Sequence, residues 1–433
     1  MQAVEKPRGG ARPSAPIGPS SGSDGPSGLQ SLYDGNALHL ASMLFGSGSL
    51  DALGAGRFGA PATSGRPGPG AKGTLKAEIT RLCNVIAAKR GEAGALLASN
   101  MALRVRCAAL HLMSRAVTEI IEHRAACGGG AGGAEAPSAA GGGVDFVELA
   151  ALQAGVTEAG AALSGDMLEG AGEVELLRGL PHLAPDASIL HIENVSPADV
   201  DSVRKLDMAQ VQRLWKGLVE EALVALIPGS SSLQALTDVG VRMSRFHGIL
   251  SVWNWMMYMG YQTTHMTTGE ATYALDDAPL SHWERVIRAA RLTRLQGMLY
   301  VDMYRIYSGR VGVLYTEMAS LLEQLRAGHT AAAENQAAAA AAAAAGLGGG
   351  GGVPPLHSAD VLTAQFALLE RLDACVRAEQ AALTVTSMAV RALFSPAQWA
   401  RTMAIAYPYP GHLRLCCEVL EAALRLSPEF FVD

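Results

Sequence analysis

The sequence predicts an all-α protein in which a parallel leucine-zipper coiled coil precedes a helical bundle. Three observations carry this expectation. Apolar residues between Leu75 and Ile121 recur at heptad spacing, amphipathic stripes with cap motifs dominate from Ser196 onward, and Gly/Ala/Pro-rich tracts separate the blocks. These boundaries give a disordered arm over 1–72, a zipper over 73–127, a Gly-rich linker and irregular segment over 128–195, and a helical domain over 196–433.

The arm comes first. Runs such as Gly65-Arg66-Pro67-Gly68-Pro69-Gly70 offer too little apolar surface to offset the entropy of ordering the chain. One island, Leu38 to Phe45, has the apolar content to form a helical turn or two against a partner.

The heptad block follows. Steps of seven from Leu75 reach Leu82, Lys89, Leu96, Leu103, Leu110 and Val117; steps of seven from Ile79 reach Ile86, Ala93, Asn100, Cys107, Ser114 and Ile121. The two ladders interleave at four and three residues, the d and a positions of a coiled coil. A seam with a 3.5-residue period calls for a second helix to cover it. The expected dimer interface is therefore Leu75, Ile79, Leu82, Ile86, Leu96, Asn100, Leu103, Cys107, Leu110, Val117 and Ile121. Asn100 stands mid-seam, where paired asparagines favour a parallel, in-register dimer at some cost in stability. Lys89, Ala93, Gly91 and Gly94 weaken one stretch. Apolar flanks at Val85, Leu97, Met113 and Ile120 also fit a higher oligomer, or docking onto another part of the chain.

After the linker, Phe146 to Leu163 reads as a helix, whereas Leu176 to Ile192, with Pro181 and Pro185, reads as irregular. The stripe Val211, Leu214, Trp215, Leu218, Ala222 and Leu226 predicts a helix ended by Pro228-Gly229. A second is expected from about Leu233 to Gly260, with Leu250, Trp253 and Met257 on its inner face. Ser281-His282-Trp283-Glu284 and Thr293-Arg294-Leu295-Gln296 both have the form of a capping box, and the latter opens a long helix to about Arg326. Residues 330–352 form a low-complexity insert. A helix is expected from about Ala359 to Leu393, another after Ser395-Pro396-Ala397-Gln398, and a last one from Leu413 to Leu426.

Composition narrows the function. Charged residues are 17% and net charge is −6, so no basic field argues for nucleic acid. Six cysteines (83, 107, 127, 375, 416 and 417) show neither disulfide-framework nor zinc spacing, which suits a reducing compartment. No apolar run approaches the roughly 18 residues of a spanning helix, and the N-terminus lacks a signal-peptide apolar stretch. There is no phosphate-binding loop, HExxH or CxxC pair. His247, His265 and His282 lack ligand spacing, so no catalytic residue, cofactor or metal is expected. The cluster Trp253, Trp255, Tyr258 and Tyr261 reads first as core packing and second as the lining of a ligand pocket.

Several of these stretches together resemble the basic leucine-zipper proteins of green algae. They are Leu96-Leu97-Ala98-Ser99-Asn100-Met101-Ala102-Leu103-Arg104, Met208 to Ile227, Thr268-Gly269-Glu270 with Trp283, Leu292 through Leu325, and the Ser395-Pro396-Ala397-Gln398 segment. The resemblance implies a nuclear, DNA-associated regulator acting as a dimer. The chain departs from that pattern before the zipper. Residues 50–74 hold only Arg57, Arg66 and Lys72 among glycines and Pro61, Pro67 and Pro69, and cannot form a basic helix in the major groove. Either the protein dimerises without reading DNA, or this chain omits the DNA-binding segment. The leading expectation is thus a non-enzymatic, transcription-related dimer, formed with itself or with another zipper protein. It would be nuclear and would touch DNA only through that partner. The alternatives are a helical ligand sensor or enzyme built on Trp253 and Trp255, and a cytoplasmic coiled-coil adaptor.

Overall fold

Every regular element described by the computed structural model is helical, as the stripes and caps require. It describes residues 71–128, 146–164, 176–184, 188–192, 195–227, 233–271, 279–344 and 357–432. The only strand-like pairings among them are the isolated bridges Thr264–Ala271 and Thr293–Val432. The expected arm, the glycine-rich part of the linker and the end of the low-complexity insert lie outside the described residues. The helices are α1 (Ala71–Gly128), α2 (Phe146–Ser164), α3 (Pro197–Arg204), α4 (Met208–Ala225), α5 (Leu233–Trp253), α6 (Trp255–Gln262), α7 (Leu280–Ala290), α8 (Arg294–Ala344), α9 (His357–Ala392), α10 (Pro396–Ala406) and α11 (Leu413–Leu426).

The chain divides into two units between Ser99 and Asn100. The first unit's described part is the α1 segment up to Ser99, whose side chains from Leu75 onward are exposed. The second unit is a packed all-α bundle. Its core runs from Val105, Ala109, Leu112, Met113 and Ile120 on α1 through Trp215, Met243, Leu250, Trp283 and Leu299 to Val385, Met403 and Leu420. α10 lies against α4, α5 and α7, while α8 runs beside α9 and α11. Where α5 meets α10 the backbones come close. A Cβ at Gly240 would overlap the Pro396 carbonyl, so only a glycine fits there.

Local chemistry explains most helix ends. Ser395 accepts from the Gln398 amide while Gln398 accepts from the Ser395 amide, a complete capping box with Pro396 at the first helical position. Thr293 and Gln296 form the same reciprocal pair at the start of α8. Ser196 with Asp199 and Asp207 with Gln210 do so for α3 and α4. The box expected at Ser281 does not form. α7 begins two residues earlier, after Pro279, with no side-chain cap.

One further expectation is corrected. The helix foreseen from Leu233 to Gly260 is broken at Asn254, whose Nδ2 donates to the Val203 carbonyl at 2.9 Å and whose Oδ1 accepts from the Met257 amide at 3.3 Å. The side chain thus caps α6 and pins the break to the end of α3. The stretch from Leu176 to Ile192, read from the sequence as irregular, contributes to the core: Leu177, Leu180, Leu183, Ile189, Leu190 and Ile192 are all buried. Side chains hold it beside the short 3-10 turn Pro181–Leu183. Glu119 of α1 accepts from the Ile189 and Leu190 amides and the Ser188 hydroxyl at 2.9–3.1 Å. Arg115 donates to the Leu183 and Ala184 carbonyls at 3.1 and 3.2 Å.

Candidate functional site

The expected dimer ladder is divided along its own helix. Leu75, Ile79, Leu82, Ile86, Leu96 and Leu103 are 42–72% exposed, and Asn100 is exposed as well. Cys107, Leu110 and Val117 are at most 4% exposed, and Ile121 is half-buried against the core. These last four positions are therefore spent inside the chain's own bundle. Met113 and Ile120, the apolar flanks, are buried with them. Below Leu103 the face covers core, and a second chain has no access to it.

The aromatic cluster is divided too. Trp253 lies between the guanidinium groups of Arg204 and Arg124, at 4.6 and 5.2 Å from the ring centre, with His123 edge-on at 5.9 Å. That is a packing environment, and burial holds the His123 imidazole below its usual value. Trp255 is also buried and packs beside Tyr258 at 5.6 Å. Trp255, absent from the inner-face positions Leu250, Trp253 and Met257 named from the sequence, is buried because the break at Asn254 re-aims α6.

Tyr258 and Tyr261, one and two turns further on, border a cavity of about 40 Å³ open to water centres. That is room for about three waters or a compact ligand. The rest of its wall comes from distant segments: His247 from α5, Tyr300 from α8, Ser387, Val390 and Arg391 from α9, Trp399 and Met403 from α10, and His412, Leu413 and Cys416 around the start of α11. Among the described residues no Asp or Glu borders it.

The electrostatics follow from burial. Arg391 is 2% exposed, and one of its terminal nitrogens donates to the Ile189 carbonyl at 2.7 Å. His247 is fully enclosed; burial first, and Arg391 second, hold its pKa down to about 3. Its Nε2 meets the Gln262 amide nitrogen at 3.4 Å. That contact makes Nε2 the acceptor and puts the proton of the neutral ring on Nδ1, which has no partner. Burial pushes the Tyr258 phenol up to about 12, moderated by nearby Ser387 and Gln262, and burial likewise raises Tyr261 well above the usual phenol value. Both hydroxyls and the Trp399 indole N–H are buried without a hydrogen bond of normal geometry. The Cys416 thiol is likewise pushed up to about 12 by burial. At neutral pH the tyrosines and the thiol keep their protons, the two histidines are neutral, and Arg391 is the cation of the wall.

His265 and His282 do not join His247. Both pack on Tyr409, at 5.2 and 5.5 Å. Among the described residues no group of His, Cys, Asp and Glu could hold a metal ion, and no helix is long and apolar enough to cross a membrane. Sequence reasoning found half the aromatic wall and missed Arg391, Trp399 and His412. One signal was present, since Arg391 is the sole charge in the run from Leu383 to Phe394.

Comparison with family models, with curated proteins and with solved structures returned no match.

Proposed function

We propose that the bundle is a small-molecule-binding module, a helical ligand sensor whose site is the cavity bordered by His247, Tyr258, Tyr261, Arg391 and Trp399. One observation carries this reading: buried polar atoms at His247 Nδ1, the two tyrosine hydroxyls and Trp399 Nε1 have no protein partner around a shared cavity. Buried donors left unsatisfied cost about 1–3 kcal/mol each, and a ligand or ordered water that accepts from them recovers that cost. Binding fits better than acid–base catalysis. A general acid or base works best with a pKa near the working pH, and His247 at about 3 and Tyr258 at about 12 lie far to either side.

The test is melting of the full chain against a panel of compact polar molecules, followed by tryptophan fluorescence. A native-state ligand raises apparent stability in proportion to the logarithm of its concentration. A saturable rise in Tm, reduced by Tyr258→Phe, supports the reading. A panel that leaves Tm and emission unchanged refutes it.

A second reading rests on the upper half of α1. Four heptads from Leu75 to Leu103 keep an exposed apolar ladder with Asn100 in the seam, which favours self-association or pairing with another zipper protein. The transcription-related, nuclear role is the expectation that the sequence resemblance attaches to such pairing. Sedimentation of the full chain tests it: a monomer at high micromolar concentration ends this reading.

A further inference from the structure

Resting on the small-ligand reading of this cavity, we propose that its ligand is the carboxylate of a short-chain organic acid. Three features of the wall select that chemistry.

The first is the count of donors against acceptors. Nδ1–H of His247, the hydroxyls of Tyr258 and Tyr261 and the Trp399 N–H are buried and unpartnered. Two of the acceptors on the wall are already engaged. The Leu413 carbonyl accepts from the Tyr300 hydroxyl at 3.3 Å, and His412 Nδ1 accepts from the Leu415 amide at 3.3 Å. A ligand here must bring acceptors, and a carboxylate brings two oxygens and no donor.

The second is charge. Among the described residues the Arg391 guanidinium borders the cavity and no carboxylate side chain does, which favours an anionic group in this low-dielectric setting. His247 and His412 are both held neutral by burial and add donors without adding charge. A cationic ligand would be repelled, and a neutral one would leave that charge unused.

The third is the apolar remainder. Val390, Phe394, Met403 and Ile287 also line the space. An inorganic oxyanion would be surrounded by donors on one side and hydrocarbon on the other. An organic acid puts its head toward Arg391 and Tyr258 and its short carbon chain among these side chains. The small volume limits it to a few heavy atoms.

The experiment titrates the full chain with sodium acetate, propionate and butyrate, reading Tm and tryptophan emission. Sodium chloride and sodium nitrate at matched ionic strength, propionamide and propylammonium serve as the comparison arms. The expected result is a saturable rise in Tm with the carboxylates alone, varying with chain length. Tyr258→Phe should weaken binding about tenfold or more, since a hydrogen bond to a charged ligand is lost, whereas Thr263→Ala, on the exposed end of α6, should not change it. Arg391→Gln should abolish binding; if that variant does not fold, Tyr258→Phe and Tyr261→Phe carry the test. Equal stabilisation by nitrate with no chain-length dependence overturns the carboxylate assignment. Stabilisation by propionamide or propylammonium alone also overturns it, yet leaves the small-ligand reading standing. Silence from every arm overturns both.

Discussion

Single residues do their work here through the polar groups they satisfy or leave open. Glu119 is the clearest case, since one carboxylate accepts from two amides and a hydroxyl of the irregular stretch Ser188–Leu190. Glu119→Ala orphans those donors and should cost about 2–4 kcal/mol in denaturant unfolding. Glu122→Ala, three residues on and exposed, should stay within about 0.5 kcal/mol. His247 makes a pH-dependent contribution. Its pKa falls from 6.5 in the unfolded chain to about 3 in the fold, so below pH 6.5 the unfolded chain takes up a proton that the native fold refuses. The stability is whole above about 6.5 and falls by about 1.4 kcal/mol per unit from there down to about 3. His123, His182, His282 and His412, each lowered by burial, push the same way. Unfolding midpoints measured across this window should fall with acid, and less steeply in His247→Gln.

At the scale of elements, α1 shows how one pattern serves two environments. Leu82 and Leu96 are exposed while Leu110 and Val117, on the same ladder, are core. Leu110→Ala should cost the bundle about 2–5 kcal/mol through the cavity it leaves. Leu82→Ala should leave bundle melting within about 0.5 kcal/mol. If the two cost the same, the division of the helix is wrong. The α5–α10 crossing makes the opposite demand, for absence of a side chain. Gly240→Ala drives a methyl into the Pro396 carbonyl and should cost about 1–3 kcal/mol or more, because both partners are backbone and cannot swing aside. Thermal melting of that variant beside Gly217→Ala, where a Cβ meets open space, separates sterics from helix propensity. Gly217→Ala should be neutral or stabilising.

At the scale of the whole molecule, the core joins segments far apart in the chain, from Val105 to Leu420, and no described residue of the low-complexity tract belongs to it. The alanines that extend α8 toward Ala344 are exposed where their side chains are described. Deleting seven of the alanines between Ala337 and Ala344 removes about two turns and nearly keeps helical phase. Cooperative melting of the bundle should survive with an unchanged midpoint. A lost or broadened transition would show that the tract packs on the fold.

The amino-acid sequence alone determined what local chemistry controls. Ser395-Pro396-Ala397-Gln398 and Thr293-Arg294-Leu295-Gln296 start helices because hydroxyl and amide find each other within one turn. Leu413–Leu426 is helical because its stripe and its flanks agree. It also determined that Leu75 to Ile121 would be one helix with one apolar face. It did not determine what covers that face, since a coiled-coil seam and a core-facing stripe differ by only about 20° per heptad. The tertiary structure decided that, burying the face from Val105 onward and leaving Leu75 to Leu103 exposed. The cavity was hidden for the same reason. His247, Arg391 and Trp399 stand up to about 150 residues apart. No periodicity links them, and only the packing of α5, α9 and α10 makes them neighbours, because burial is a property of what meets a side chain and periodicity a property of the helix that carries it.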